Sequence, residues 1–396
     1  MTQSIGKKTV RDIDVAGKRV LVRADLNVPL ENGAVTDDTR IRESLATVKY
    51  LIDKGARVIL CSHLGRPKGV DAALSLYPVA VRTGELLGRR VAFVPECIGP
   101  HVEAAAAALL PGDVLLLENL RFHAEEEKND AGFARQLAAN ADLFVNDAFG
   151  AAHRAHASTE GVTHFLPAVA GMLMEKEVRY LGALVASPPR PFAVVAGGAK
   201  VSSKIAAIDH LLPKLDILIV GGGMANTFLK AKSIDVGTSL VEDDQVDIAR
   251  RIMASATDRG TVVHLPSDVV VADRFAADAN VRTVPVTAVP SGTMILDIGP
   301  ETLAAYTAAL QPAAAVVWNG PMGVFEMEPF SHGSFGMARA IAALSATTVV
   351  GGGETAAVVV QAGVAEKITH VSTGGGASLE MLEGRVLPGV AALMDA

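Results

Sequence analysis

The sequence predicts an α/β protein of two halves, each a parallel sheet with helices on both faces, with the joint between them at a helical segment that ends at 188–191. Three observations predict it. Short continuous runs of Val, Ile and Leu alternate with helix-length segments along the whole chain. Such runs mark strands buried on both faces, which is the condition of parallel sheets with crossover helices. A long helical segment, 170–187, runs into "PPRP" at 188–191, where proline cannot continue a helix. The alternation then starts again, and 396 residues are ample for two or three domains of about 150 residues each.

The elements follow in order. "KRVLVRAD" (18–25) is β-rich and ends in polar residues. "TRIRESLATVKYLIDKG" (39–55) has helical spacing and a closing glycine. Strands are expected at 56–62, 89–94, 112–119 and 141–147, with helices at 76–88 and 130–140. "AEEEKND" (124–130) reads as a solvated helix entry whose negative first turn suits the helix dipole. In the second half, strands are expected at 191–197, 215–221, 261–266, 313–320 and 346–352, with a helix over 243–260.

Composition excludes several classes. Apolar residues make up 50% and charged residues 20%, a globular balance with a large aliphatic core. The net charge of −7 opposes nucleic acid and anionic membrane, so any anion site must be built locally. No apolar run is long enough to span a bilayer, and the N-terminus carries no apolar signal core. Two cysteines, Cys61 and Cys97, do not make a disulfide framework and fit a reducing cytoplasm. Cys61 reads as a small apolar residue at a strand end rather than a reactive thiol.

In a parallel sheet all strand C-termini share one edge, where ligands bind. In the first half that edge collects Asp25 and Asn27, then His63 and Arg66 in "SHLGRP". It also collects Arg121 and His123 in "ENLRFH", and His153, Arg154 and His156 in "HRAH". One arginine past a strand is usually a surface ion pair, and one histidine a hydrogen-bonded loop residue. "HRAH" as a metal pair lacks further ligands at metal spacing. Four loops with the same bias instead predict one wall of an anion site, because the guanidinium fork suits carboxylate and phosphate.

The second half ends its strands in glycine: "GGAKVSSK" (197–204), "GGGMAN" (221–226), "NGPMG" (319–323) and "GGGETA" (351–356). Glycine lets backbone N–H groups approach an oxyanion, and a helix N-terminus adds a favourable field. Singly, each is more often a tight turn; four on one edge favour a nucleotide. Lys200 and Lys204, at i and i+4, are expected on one helical face. The Walker pattern is absent. "GGGETA" satisfies G-x-G-x-x-A, but the acidic partner expected about 20 residues on is replaced by "ITHVST". Glu354 behind those glycines therefore reads as a magnesium or ribose contact.

These blocks, with "VRADLNVPL", "NDAFGAAHRAHAST", "DILIVGGGMANTF", "VVWNGPMGVFE" and "HVSTGGGASLE", closely resemble the phosphoglycerate kinase family, in its order and over nearly the whole chain. The resemblance implies two Rossmann-like domains joined by a hinge helix. A triose-binding domain would cover 1–170, with 378–396 packing back on it, and a nucleotide-binding domain 191–377. It implies reversible phosphoryl transfer from 1,3-bisphosphoglycerate to ADP, giving 3-phosphoglycerate and ATP, with Mg²⁺, by a cytoplasmic monomer. Carried over by motif, the triose site falls on Asp25, Asn27, Arg40, His63, Arg66, Arg121 and Arg154. The nucleotide site falls on Lys200, Lys204, Asn319, Glu326, Gly351, Gly352, Gly353, Glu354 and Thr355, and the transfer step on Arg40, Lys200 and Gly353. Two positions depart from the family pattern: Leu26 stands where Phe is usual, and Glu354, the expected metal residue, where Asp is usual.

Two other classes are consistent with parts of the pattern. An NAD-dependent oxidoreductase would use "GGGETA" but leaves the basic edge of the first half unexplained. A catalytically silent binding module would not need Arg40, Lys200 and Lys204 together.

Overall fold

The computed structural model describes residues 6–396. Contacts divide the chain into two units, Met1–Arg179 with Val386–Ala396, and Tyr180–Arg385. The division falls inside the helix Met172–Ala186.

The first unit holds a six-stranded sheet. Its spatial order is Ala92–Val94, Val114–Leu117, Arg57–Cys61, Arg19–Arg23, Leu143–Asn146, Ala168–Ala170. Every pairing is parallel. Both faces are covered, which is why the strands read as unbroken apolar runs. Val20, Val22, Val58, Leu60, Val114, Leu116 and Val145 pack with Ile41, Leu45, Val48 and Leu51 of the helix Thr39–Asp53. Each such side chain withdrawn from water contributes about 1.5–3 kcal/mol. That helix stops at Gly55, whose φ of 72° and N–H bond to Ile52 O form a left-handed terminus. The outer strand Ala168–Ala170 was not foreseen, being three residues long. Its edge is covered by Val10 N–H, which donates to Ala170 O, and Met394 N–H, which donates to Ala168 O. The tail is also held where Asn146 Nδ2 donates to Gly389 O at 3.0 Å.

The second unit holds a six-stranded parallel sheet in the order Val262–His264, Ile217–Val220, Phe192–Ala196, Ala315–Asn319, Thr347–Gly351, His370–Val371. Numbered along the chain this is 3-2-1-4-5-6, the doubly wound nucleotide-binding order, whose direction reverses between Phe192–Ala196 and Ala315–Asn319. A further sheet was not foreseen. Asp268–Ala272 runs antiparallel between Val281–Pro285 and Met294–Ile298. Its central strand buries both faces, Val269 and Val271 in one apolar cluster and Val270 and Ala272 in another. An apolar run of that kind is indistinguishable by pattern from a parallel strand.

Residues 200–204 do not form the helical turn expected from the lysine spacing. The helix begins at Ile205, after a turn. Ser203 Oγ donates to Lys200 O, and Ser202 N–H donates to Glu242 Oε2. The local Ser203 side-chain bond competes with helix formation, and Glu242 takes a backbone N–H from the same turn.

Candidate active site

In the first unit the direction of winding reverses between Arg19–Arg23 and Leu143–Asn146, and in such sheets ligands bind at the C-terminal ends beside that reversal. The residues gathered there are organised by one the sequence reading missed. Arg23, the last residue of its strand, is 1% exposed. Its Nε donates to Ser158 Oγ at 2.9 Å, Nη1 to Ala24 O at 2.6 Å, and Nη2 meets His63 Nδ1 at 2.9 Å. The counter-charge is Glu126, fully buried, which accepts from Ser158 N–H at 2.9 Å and Ser158 Oγ at 2.5 Å. Glu126 lies in the run read above as a solvated helix entry; Glu125 and Glu127 are exposed, but Glu126 turns inward to the buried guanidinium. Burial pushes its carboxyl pKa up, against the pull of Arg23.

His63 is 7% exposed, and burial, then Arg23, Arg121 and Arg40, hold its pKa well below the usual imidazole value. His156 is held down to about 4 by burial, then by Arg121 and Arg23. Both rings are therefore neutral near pH 7 and cannot act there as cations. His123 leaves the cluster: its Nε2 pairs with Glu96 Oε1 at 2.7 Å. Of the arginines and histidines expected to form one anion wall, the arginines therefore carry the charge, with two neutral rings, His63 and His156, set among them.

Asp25, 6% exposed, accepts both bonds from Arg40 Nη1, at 3.1 and 3.0 Å. Asn27 Oδ1 accepts from Gly65 N–H, and Gly65 O accepts from Arg121 Nη1 at 2.8 Å. Asn119, fully buried, ties these loops by accepting from Leu64 N–H and Arg121 N–H and donating to Leu64 O and Leu74 O. Its position in "LEN" carries no signal that would have singled it out. Arg66 and Arg154 are exposed at the rim. Burial lowers the pKa of Arg121, and Arg23 and Arg154 reinforce that shift. Asp25, Asn27, Arg40, His63, Arg121 and Arg154 thus share one electrostatic neighbourhood, with Arg66 on the adjoining turn.

In the second unit the four glycine-ended strands are the four central neighbours of the sheet. Many of these glycines serve close packing first. A Cβ on Gly320, whose φ is +98°, would lie 2.2 Å from Gly197 O, and one on Gly222 would lie 2.7 Å from Gly198 N. The N–H groups of Gly197, Gly198, Gly221 and Gly222 donate to Asn319 O, Pro321 O, Ala196 O and Met322 O. The expectation that these loops present their N–H groups to an anion is corrected for those four positions. The start of the helix Gly353–Gln361 differs, because its first N–H groups have no intrahelical acceptor. Gly351, Gly352, Gly353, Glu354 and Thr355 build that start. Thr355 Oγ1 accepts from Gly320 N–H at 2.7 Å.

Lys204 is half-buried, and its Nζ donates to Asn319 Oδ1. Burial lowers its pKa, and Glu354 partly opposes this. Lys204, Asn319 and Glu354 are therefore neighbours. Lys200 and Glu326 are exposed. Glu354 is an exposed carboxylate in the first turn of its helix, beside that turn's free N–H donors. Magnesium is commonly held by one or two carboxylates together with substrate phosphates, so one hard oxygen donor here fits that ion.

Comparison with known proteins identifies the family and the fold. The phosphoglycerate kinase family model matches residues 10–385. The phosphoglycerate kinase of Moorella thermoacetica is 62% identical over 392 residues, covering 99% of this chain and all of that one. The cytosolic phosphoglycerate kinase of Triticum aestivum is 57% identical over 399 residues, covering 100% of this chain and 99% of that one. The solved phosphoglycerate kinase of Coxiella burnetii superposes with a TM-score of 0.89 at 40% identity, covering 98% of each chain. That of Pyrococcus horikoshii gives 0.85 at 33%, also covering 98% of each. With two doubly wound sheets, one edged by arginines and the other by glycine turns, the chain belongs to the phosphoglycerate kinase family.

Proposed function

We propose the following division of labour for the reaction of this family, phosphoryl transfer from 1,3-bisphosphoglycerate to ADP, giving 3-phosphoglycerate and ATP. Asp25, Asn27, Arg40, His63, Arg66, Arg121 and Arg154 bind the triose. Lys204, Asn319, Glu326 and the 351–355 turn bind the nucleotide. Lys200, Arg40 and the N–H of Gly353 compensate charge on the group in transit. One observation carries the reading. The basic edge of the first unit gathers Arg23, Arg40 and Arg121 around His63, with Arg154 beside His156, while both rings are held uncharged, which suits an anion and offers no strong base.

That fits the chemistry. The attacking ADP oxygen is already an anion and the leaving group is a carboxylate, so no proton need move. Positioning and charge compensation remain. Two unit charges 4 Å apart repel by about 1 kcal/mol in water but about 4 at a dielectric of 20. Expelling water therefore demands cations at the transferring group. Glu354 would hold Mg²⁺, directly or through water, and the ion would neutralise phosphate charge.

Residues 1–170 with 378–396 are proposed as the triose domain, 191–377 as the nucleotide domain, and 171–190 as the hinge. Closure about that hinge would exclude water from an acyl phosphate that hydrolysis would destroy. The division of contacts inside Met172–Ala186 supports that location. A monomer in the cytoplasm is proposed; two buried, unbridged cysteines support the reducing compartment. The deciding experiment measures ATP formed from enzymatically generated 1,3-bisphosphoglycerate, with and without Mg²⁺. No ATP above a blank would overturn the assignment, and equal rates without Mg²⁺ would overturn the metal role.

A further inference from the structure

The pairing that takes His123 out of the anion wall places it in a different chemical setting. Glu96 and Cys97 follow the strand Ala92–Val94, and His123 follows the turn Leu120–Phe122 beyond the neighbouring strand Val114–Leu117. Because those two strands are parallel, both loops leave the sheet at the same edge. Among the described residues this is the group of Cys, His and carboxylate atoms close enough to share an ion: the ligand atoms of Glu96, Cys97 and His123 all lie within 4.8 Å of one another. Cys97 is 1% exposed and closes the floor, while the Glu96 side chain is 47% exposed and opens to solvent. The His123 ring packs on Phe133 with centroids 5.1 Å apart, which holds its plane.

We propose that Glu96, Cys97 and His123 form a binding site for a borderline-soft divalent cation of the Zn²⁺ type, separate from the nucleotide's magnesium. Thiolate, imidazole and carboxylate together select zinc over magnesium, which takes oxygen ligands at octahedral geometry. Three protein ligands leave a fourth position for water.

Two features of the ion-free geometry must change on binding, and both can. Glu96 Oε1 and His123 Nε2 are 2.7 Å apart, whereas bonds of about 2.0 Å to a tetrahedral ion need them roughly 3.3 Å apart. The half-exposed Glu96 side chain moves that far by giving up its second bond, from Cys97 N–H at 2.9 Å. Cys97 Sγ donates to Glu118 O at 3.0 Å and burial keeps the thiol protonated. Zinc replaces that proton: the S–H bond breaks, an S–Zn bond forms with the same sulfur electron pair, and the proton leaves to buffer. The ion would then tie the loop at 96–97 to the turn that carries Arg121.

The test uses the full-length chain, stripped with chelator and titrated with Co²⁺ and then Zn²⁺. One equivalent of Co²⁺ should give a thiolate-to-cobalt charge-transfer band in the near ultraviolet, with release of a proton. Zn²⁺ should abolish the band, and Mg²⁺ in large excess should not. Cys97→Ala should lose the band and Cys61→Ser should keep it. Glu96→Gln and His123→Gln should each weaken binding by at least ~10-fold. Absence of the thiolate band in the wild type, or its persistence in Cys97→Ala, overturns the proposal. If Cys97→Ala does not fold, the two more exposed variants decide: unchanged Co²⁺ affinity in both identifies an ion pair and nothing more.

Discussion

Arg23 Nη2 and His63 Nδ1 lie 2.9 Å apart, with the two residues 1% and 7% exposed. A guanidinium does not give up its proton, so Nδ1 is the acceptor and the ring proton sits on Nε2. His63 is thereby a fixed neutral donor, and Arg23 is a positioning residue for it. Arg23→Met removes that lock and leaves Glu126 buried without its cation. Stability should fall by about 3–5 kcal/mol in urea unfolding. Combining it with Glu126→Gln should recover part of the loss. A loss under about 1 kcal/mol would show that Glu126 is compensated elsewhere.

His156 supplies a pH signature. Its folded pKa of about 4 lies below the ordinary 6.5, with burial the main cause. Below pH 6.5 the unfolded chain takes up a proton that the folded ring refuses. Stability is therefore complete above 6.5 and is lost as the pH falls towards 4, by up to about 3 kcal/mol from this residue. His156→Gln should flatten the fall in urea midpoint between pH 7 and 4.5. An unaltered slope would assign the acid sensitivity to other groups, His63 first, since its pKa is lowered in the same direction.

Gly320→Ala places a methyl 2.2 Å from Gly197 O at a φ of +98°. Backbone must move, because the obstructing atom is itself main chain. About 2–4 kcal/mol of stability should be lost. Nucleotide affinity should fall as well, because Asn319 and Thr355 are bonded through this turn. Thermal melting with and without ADP measures both, and normal ADP affinity in a folded variant would separate the turn from the nucleotide site.

Lys200 and Lys204 should divide their effects. Lys200 is exposed and outside any helix, whereas Lys204 is half-buried and bonded to Asn319. Lys200→Ala is expected to lower kcat by about 10²–10³ with little change in KM, as for a group acting on transition-state charge. Lys204→Ala should raise the nucleotide KM. Near-normal turnover in Lys200→Ala would remove it from the transfer step.

Glu354→Asp keeps a hard oxygen donor in the first turn of Gly353–Gln361. Mg²⁺-dependent turnover should survive within about tenfold. A dead but folded variant, judged by circular dichroism, would mean that the loop is built around the longer side chain.

The sheets and the flanking helices were legible because burial on both faces writes itself as unbroken Val, Ile and Leu runs. "VLVR", "VILC", "VLLL" and "LFVN" needed no partner to be recognised as strands. The antiparallel sheet around Asp268–Ala272 was not legible, because its apolar run is short and its neighbour Val281–Pro285 is almost wholly exposed and carries no buried face to read. The i, i+4 spacing of Lys200 and Lys204 misled, because the local Ser203 side-chain bond and the distant Glu242 carboxylate, which takes the Ser202 N–H, outweigh the weak preference for one more helical turn.

What the sequence determined alone was which residue types stand at the strand ends: arginines and histidines in the first half, glycines in the second. Their charge was decided only in the folded chain. Arg23, hidden at the end of an apolar strand, sets the tautomer of His63, and burial with Arg121 and Arg23 keeps His156 neutral. Glu126, one of three consecutive glutamates, is the one turned inward. Protonation depends on solvent exclusion and on charges brought close from distant parts of the chain, and neither is encoded in the local spacing of a motif.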